Sequence, residues 1–121
     1  MDAMDTPTEQ RGKTTIAPDV LVTIARLSAL GVPGVARLSP VPGGVDQIFQ
    51  RGTSEGVRIE VKGHAVAVDL YLVLQPETNV RTVARNVQAE VTRAVQKMVG
   101  MEVQHVNIHI EDVEMAREKP A

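Results

Sequence analysis

The chain has 121 residues, with 13 basic and 15 acidic side chains that give a formal net charge of −2. This length corresponds to one ordinary domain, and the near balance of charge provides no broad positive field for non-specific phosphate binding. Because cysteine and tryptophan are both absent, disulfide scaffolds, thiol nucleophiles and thiolate zinc sites are excluded, and the core must be mainly aliphatic.

Residues 1–12 contain almost no side chains to bury, and we expect them to form a flexible tail. Asp2, Asp5 and Glu9 occupy the region where a secretory signal requires basic residues and then an apolar run, so the sequence predicts no export signal. The longest apolar stretch, residues 20–35, is interrupted by charge, glycine and proline and is shorter than the roughly 20 residues of a membrane-spanning helix. Any contact with a membrane is therefore expected to be indirect or peripheral.

The first regular elements are predicted on either side of a proline. A short strand is expected at residues 13–17, which are β-prone, and Pro18 then predicts the first turn of a helix over residues 18–30. A Pro-Gly pair within residues 32–35 predicts a type II turn, followed by a strand at 35–38. The helix is apolar on nearly all sides, which leaves two interpretations open: burial inside its own domain, or contact with another chain.

The middle of the chain predicts a loop and then a hairpin. Segment 39–56 is rich in proline and glycine and predicts mostly loop, with a strand or turn near residues 48–49. Apolar and charged residues then alternate with a period of two, which predicts a strand over 57–62. A turn at 63–64 leads into a second strand, 66–74, whose alternate residues share the same core face.

A second helix is predicted over residues 79–99, because apolar residues recur at spacings of four and three. This stripe consists of Val80, Ala84, Val87, Val91, Ala94 and Met98. A stripe of this length suits packing against a sheet or a coiled coil, and we favour the sheet. A last strand is predicted over 102–113, ahead of a frayed tail at 114–121.

The predicted order is β-α-β-loop-β-β-α-β, in a single domain that spans residues 13–113. Because each helix and the sheet have one apolar face, the economical arrangement is a two-layer α+β domain. We expect a mixed or mostly antiparallel sheet with both helices on one face.

No residue pattern predicts a catalytic, metal-binding or cofactor-binding site. The run 12–14 ends like a phosphate-binding loop, but proline replaces the first glycine of that motif and no strand precedes it. His105 and His109 have the spacing of a helical metal pair, but on a strand this spacing separates them by about 13 Å, so we interpret them as part of a solvated polar stripe. Asp69 shares a strand face with Tyr71, and without a second poised group we interpret it as solvent-facing or bonded to a neighbouring element.

Four basic residues of the second predicted helix form the candidate partner interface. Arg85 and Arg93 project from the side of this helix opposite its recurring apolar residues, and Arg81 and Lys97 lie towards the flanks. This face either meets an acidic partner or phosphate, or is simply solvated, and the sequence leaves both interpretations open.

Three stretches of the chain, taken in order, resemble the alkaline shock protein, or general-stress envelope protein, family. They are GKTTIAPDVLVTIARLSA (12–29), VAVDLYLVL (66–74), and VARNVQ (83–88) continuing to VNIHIEDV (106–113). The likeness covers roughly residues 12 to 113, and the glycine- and proline-rich segment 40–56 departs from the family's pattern. The resemblance implies a non-enzymatic protein without a cofactor, often cytoplasmic and sometimes held near the membrane by an anchoring partner, that is linked to cell-envelope homeostasis under stress.

The function that we expect is that of an interaction module, which self-associates or docks on an envelope-associated protein. The surfaces for this are the apolar first helix, an exposed sheet edge or the arginine-bearing helix. A nucleic-acid-binding domain is an alternative suggested by the small α+β architecture alone, and the missing stacking aromatics and the balanced charge count against it. A carrier of a small apolar ligand, with a pocket between sheet and helices, is the third hypothesis.

Overall fold

The computed structural model describes residues 15–40, 51–54 and 56–114. Within these ranges the chain forms two helices and five strands. In chain order they are α1 (Pro18–Leu30), β1 (Val35–Leu38), β2 (Arg51–Ser54), β3 (Val57–Lys62), β4 (Ala65–Leu74), α2 (Val80–Val99) and β5 (Glu102–Val113). The predicted N-terminal tail, residues 48–49 and all but the first residue of the predicted C-terminal tail lie outside the described residues.

Strand β4 is the centre of the sheet. One edge of β4 pairs in parallel with β5, and the other edge is shared by antiparallel β3 and β1, while β2 pairs with β3. The sheet is therefore mixed. Both helices contribute to one core together with a single face of this sheet, which confirms the predicted α+β class with two helices on one face.

The core is aliphatic, as the composition predicts. The central strand contributes five side chains without solvent exposure, namely Val66, Val68, Leu70, Leu72 and Leu74. Facing them are Leu21, Val22, Ala25 and Ala29 of α1 and Val83, Val87, Val91 and Val95 of α2. Each of these side chains contributes about 1–3 kcal/mol when buried, so this interface between sheet and helices holds the two layers together.

The predicted turn after α1 is confirmed. Val35 donates its backbone N–H to the carbonyl of Val32 at 3.2 Å, and Gly34 has a φ of 103°, as the third position of a type II turn requires. A Cβ at Gly34 would lie 2.6 Å from Cγ2 of Val83. The turn therefore packs directly against α2.

The strand predicted at residues 13–17 is wrong for residues 15–17, which lie outside any strand; residues 13 and 14 are not among the described ones. Ala17, which precedes Pro18, has the extended dihedral angles φ −69° and ψ 143°, as a residue before proline prefers. Ile16 packs against the core. The β-prone residues here form an extended lead into α1 instead of a strand of the sheet.

The stripe predicted on α2 has the correct direction but the wrong ends. Val87 and Val91 are buried, whereas Val80 is 41% and Met98 is 69% exposed. These two residues lie in the first and last turns of a 20-residue helix, which is about 30 Å long, whereas α1 beside it has 13 residues and is about 20 Å long. Periodicity gives the angular position of a stripe but not the length of the surface that covers it.

Strand β2 lies in the segment that was predicted to be mostly loop. It pairs with β3 so that Ser54 stands opposite Val57, with two residues between them. The backbone N–H of Ser39 donates to the carbonyl of Tyr71 at 2.8 Å, and the N–H of Tyr71 donates to the carbonyl of Gly56 at 2.9 Å. The end of β1 and the start of β3 therefore meet at Tyr71 on the same edge of β4.

Side chains and backbone groups also anchor β5. Gln88 of α2 donates from Nε2 to the carbonyl of Val106 at 3.0 Å. Glu114, the first residue of the predicted frayed tail, donates its backbone N–H to Leu74 at 2.9 Å, and its carboxylate accepts from Nε of Arg37 at 3.4 Å. The strand therefore has the predicted bounds, and one further backbone hydrogen bond follows it at Glu114.

Candidate interaction surfaces

Helix α1 exposes large aliphatic side chains on the side opposite its buried residues. At about 100° per residue, Val20, Leu27 and Leu30 group on that side, and they are 46%, 59% and 40% exposed. We call these three residues the apolar stripe. Both interpretations that the sequence left open for this helix therefore remain relevant, because one side is buried in the domain and the other is an exposed apolar surface.

An open groove runs between α1 and α2. On the α1 side it is lined by Leu27, Ser28, Gly31, Val32 and Pro33, and on the α2 side by Asn86, Ala89 and Glu90. Its volume is about 500 Å³, which lies in the range of ligand-binding clefts. Leu27 belongs to both the apolar stripe and the groove, so the two form one continuous surface on the outside of the helix layer.

The four basic residues predicted as a partner interface, Arg81, Arg85, Arg93 and Lys97, are all exposed on α2. Arg85 and Arg93 point away from the buried row, and Arg81 and Lys97 lie on opposite flanks of the helix. Nη2 of Arg93 donates to Oε1 of Glu90 at 2.9 Å, and both side chains are largely exposed, so this ion pair is worth well under about 1 kcal/mol. That the four residues bind a partner remains a prediction.

The face of the sheet that points away from the helices carries a cluster of four side chains, Asp69, Tyr71, Asn107 and His109, which we call the sheet cluster. The parallel register places Asp69 opposite Asn107 and Tyr71 opposite His109. Nδ2 of Asn107 donates to Oδ1 of Asp69 at 3.1 Å, and Nε2 of His109 lies 3.3 Å from the same oxygen. The His109 imidazole stacks on the Tyr71 ring, with the ring centroids 4.4 Å apart and the planes 9° from parallel.

The sheet cluster is partly what the sequence predicts and partly new. Asp69 was expected to face solvent or to bond to a neighbouring element, and here it bonds to β5. His105 stands opposite Ala67 and is exposed, so it takes no part in the cluster. The signal that could have revealed the cluster was the shared strand face of Asp69 and Tyr71, but the partners on β5 depend on a register that the sequence does not provide.

The chemistry available to the sheet cluster is limited. Among the described residues, no three histidine, aspartate or glutamate side chains come together in a way that could hold a metal ion. Asp69 and His109 form an acid–base pair on a sheet face, with side chains that are 23% and 42% exposed, whereas general acid–base catalysis needs a pocket that holds a substrate against such a pair. The groove lies on the opposite side of the domain. We therefore interpret the cluster as a set of contacts that fixes the pairing of β4 and β5.

Two other sequence features bear on the choice of a site. The run 12–14, considered above as a phosphate-binding loop, lies outside the described residues. Neither α1 nor α2, the helices of the described part, combines the length and hydropathy needed to cross a bilayer. Within residues 15–40, 51–54 and 56–114, the apolar stripe, the groove and the basic residues of α2 are the surface features that we consider for function.

Similar proteins are found by sequence and by structure. The Bacillus subtilis protein YloU, described as uncharacterized, is 28% identical over 106 residues, which cover 84% of this chain and 88% of YloU. An uncharacterized protein of Streptococcus pyogenes is 32% identical over 107 residues, which cover 88% of this chain and 82% of that protein.

Among solved structures, the copper form of the MamM CTD matches with a TM-score of 0.50 at 17% identity, over 84% of this chain and 91% of that chain. At this identity the likeness shows only a shared fold. The resemblance noted from the three sequence stretches is confirmed independently, because the sequence profile of the alkaline shock protein family, described as having a cell envelope-related function, matches residues 6–115. This chain therefore belongs to that family.

Proposed function

We propose that this protein is a non-enzymatic interaction module that acts in a cell envelope-related process by docking on a protein partner or on a second copy of itself. The observation that carries the proposal is the apolar stripe of α1. Three large aliphatic side chains stand in solvent on the side of α1 opposite the core, although the same helix could bury its other face with polar residues at these positions. Aliphatic side chains that stand together in solvent form an apolar surface on which another protein can dock.

The groove strengthens this proposal, because it extends the stripe towards α2. Leu27 is the residue common to both, and its side chain is 59% exposed. Burying the exposed part of one such leucine on binding contributes about 1 kcal/mol. Together with its neighbours in the stripe and the groove, Leu27 provides the compact apolar centre that protein interfaces use, surrounded by polar residues of α2.

The non-enzymatic part of the proposal is supported by the arrangement of the titratable groups. The acid–base pair of the sheet cluster and the groove lie on opposite sides of the domain. A hydrolase or transferase site needs a nucleophile, a base and an oxyanion donor around one cleft, and among the described residues the acid–base pair does not reach the groove. The proposal places the protein in the cytoplasm, where an envelope-associated partner would hold it near the membrane.

The proposal is tested by a polar substitution in the apolar stripe. We expect Leu27→Gln to weaken self-association, measured by light scattering over a range of concentrations, or to weaken capture of the native partner in a quantitative affinity purification. Glutamine is a good helix former, and Leu27 is exposed, so that the fold should be retained.

Met98→Gln is the matched control. Met98 is another exposed large apolar side chain, 69% accessible, but it lies at the end of α2, outside the stripe and the groove. The proposal predicts that Met98→Gln behaves like the unmodified protein. A monomer that captures no protein at any concentration, or equal losses for the two variants, would contradict it.

A further inference from the structure

We propose that the groove between α1 and α2 receives an acidic amphipathic helix of a partner protein, whose apolar side contacts Leu27 and the groove while its carboxylates contact Arg85 and Arg93. This inference rests on the proposed function and adds the chemical class of the partner. It combines two features that lie side by side on the helix layer, a partly apolar groove and the basic side chains of α2.

The shape of the groove suits a helix. Two adjacent helices form its walls, and its lining includes small residues at Ser28, Gly31 and Ala89, which allow another backbone to approach closely. A helix that lies in such a groove places side chains at positions i, i+3, i+4 and i+7 into it. The exposed apolar residues of the lining, Leu27, Pro33 and Ala89, provide the apolar contacts.

The positive charge of α2 favours an acidic partner. Between residues 80 and 99 the chain has four basic side chains, Arg81, Arg85, Arg93 and Lys97, and one acidic side chain, Glu90. The helix therefore carries a net charge of 4 − 1 = +3, and because the whole chain carries −2, the rest carries −5. A ligand that contacts only α2 meets a positive surface on a protein that is otherwise negative.

The spacing of the two outward-facing arginines matches carboxylates on a helix. Arg85 and Arg93 are eight residues apart on α2, which corresponds to about 12 Å along the axis. Acidic residues seven or eight positions apart on a partner helix have nearly the same separation. Arg93 already donates from Nη2 to Glu90, but a guanidinium has five N–H donors, so Arg93 can also donate to a second carboxylate.

The position of Glu90 also fixes the orientation of the partner. Glu90 lines the groove, so a carboxylate of the partner that pointed into the groove would be repelled there. The apolar side of the partner must therefore enter the groove, and its acidic flank must lie over Arg85 and Arg93. This requirement distinguishes an amphipathic acidic helix from a uniformly acidic segment.

A protein helix fits these observations better than an anionic membrane surface does. A bilayer is flat on this scale and cannot fill a concave groove. It would also meet the negative remainder of the protein, because charges act over a screening length of about 8–10 Å at physiological salt. A slender helix in the groove contacts the positive surface of α2 and avoids most of the negative remainder.

The test uses two synthetic peptides of about five turns. One has leucines along one face and glutamates on the flank, and the other has the same leucines with lysine in place of each glutamate. Binding of each labelled peptide to the full chain is measured by fluorescence anisotropy. We expect the acidic peptide to bind about ten-fold or more tightly than the lysine peptide, and its affinity to fall as salt is raised.

Charge reversal locates the binding site. Arg85→Glu should weaken binding of the acidic peptide about five-fold and strengthen binding of the lysine peptide. Lys62→Glu makes the same change in net charge on β3, outside the groove, and should alter neither affinity by more than about two-fold. Leu27→Gln should weaken both peptides, because both use the same apolar contact.

Three results would overturn the inference. The first is equal binding of the two peptides, and the second is an equal effect of Arg85→Glu and Lys62→Glu. The third is that the acidic peptide does not bind, while the protein sediments with phosphatidylglycerol vesicles and needs Arg85 to do so. If the acidic peptide fails to bind while Leu27→Gln still abolishes association with the native partner, the acidic helix is wrong and the interaction module stands. If both measurements fail, the proposed function is wrong as well.

Discussion

The substitution Gly56→Ala tests the junction where β1 and β3 meet on one edge of β4. Gly56 has a φ of 81°, a conformation that L side chains rarely adopt. A Cβ at this position would lie 2.5 Å from Cβ of Leu38 and 2.9 Å from the carbonyl oxygen of Ser39. The first contact is with a Cβ atom, whose position is fixed by the backbone, and the second is with a backbone oxygen. Neither contact can therefore be relieved by a change of rotamer.

Two costs add up in this variant. The left-handed backbone costs a non-glycine residue about 1 kcal/mol, and an overpacked site costs about 1–3 kcal/mol more. We therefore expect Gly56→Ala to lower the free energy of unfolding by about 2–4 kcal/mol. This is a large part of the roughly 5–15 kcal/mol that stabilises a typical domain.

Urea denaturation followed by circular dichroism measures this loss. With a slope of about 2 kcal/mol/M, the transition midpoint should fall by about 1–2 M. Gly100→Ala is the matched control, because Gly100 has a φ of 76° and no atom within 4 Å of its Cβ position. It should lose only the backbone cost of about 1 kcal/mol. Equal losses in the two variants would refute the role assigned to the crowded junction.

Two further changes test the sheet cluster and the corrected core of α2. His109→Ala should cost about 1 kcal/mol by removing the stacked ring, and it should change the native fluorescence of Tyr71, the single tyrosine of a chain without tryptophan. His105→Ala, on the same strand, should change stability by less than about 0.5 kcal/mol, and equal effects of the two alanines would contradict the cluster. Val91→Ala should cost about 2 kcal/mol because Val91 is fully buried, whereas Met98→Ala should cost less than about 0.5 kcal/mol. Comparable losses in thermal melts would support the stripe predicted from the sequence, because that stripe includes both residues.

The elements that could be predicted from the sequence are those whose own pattern determines them. Strand β3 alternates apolar and charged residues because one of its faces is buried, and the bounds predicted for it agree with the structure. The helix starting at Pro18 and ending at Leu30 was also predicted at both ends, since proline and glycine mark them directly. These signals are local, and they do not depend on how the rest of the chain packs.

The features that the sequence did not predict depend on neighbours. Strand β2 has the sequence RGTS, which shows no alternation, and it is a strand because β3 lies beside it. The sheet cluster depends on an irregularity in β5, where the register moves from Val66 opposite Val103 to Ala67 opposite His105. An uninterrupted register would place Val106 opposite Asp69, so that one extra residue decides whether the acid meets an apolar or a polar neighbour.

The candidate partner interface on α2 could also be predicted only as far as local sequence spacing determines it. The sequence placed Arg85 and Arg93 on the outer side of α2 correctly, because helical geometry follows from spacing alone. It did not show that a groove and the exposed Leu27 lie next to them, because the packing of α1 against α2 joins residues that are about 60 positions apart in the chain. The proposed partner class emerges only when both sets of residues are seen on one surface.

The shared edge of β4 has a practical consequence for labelling this protein. Ser39 is hydrogen-bonded to Tyr71, and Arg51 is paired opposite Glu60. These two anchors hold their own residues in the sheet whatever number of residues separates them along the chain, and the entropic cost of a longer separation grows slowly, by about 0.6 kcal/mol for each doubling. We therefore expect a reporter peptide inserted between these two anchors to leave the pairing of both strands intact, which makes this stretch the first choice for a label.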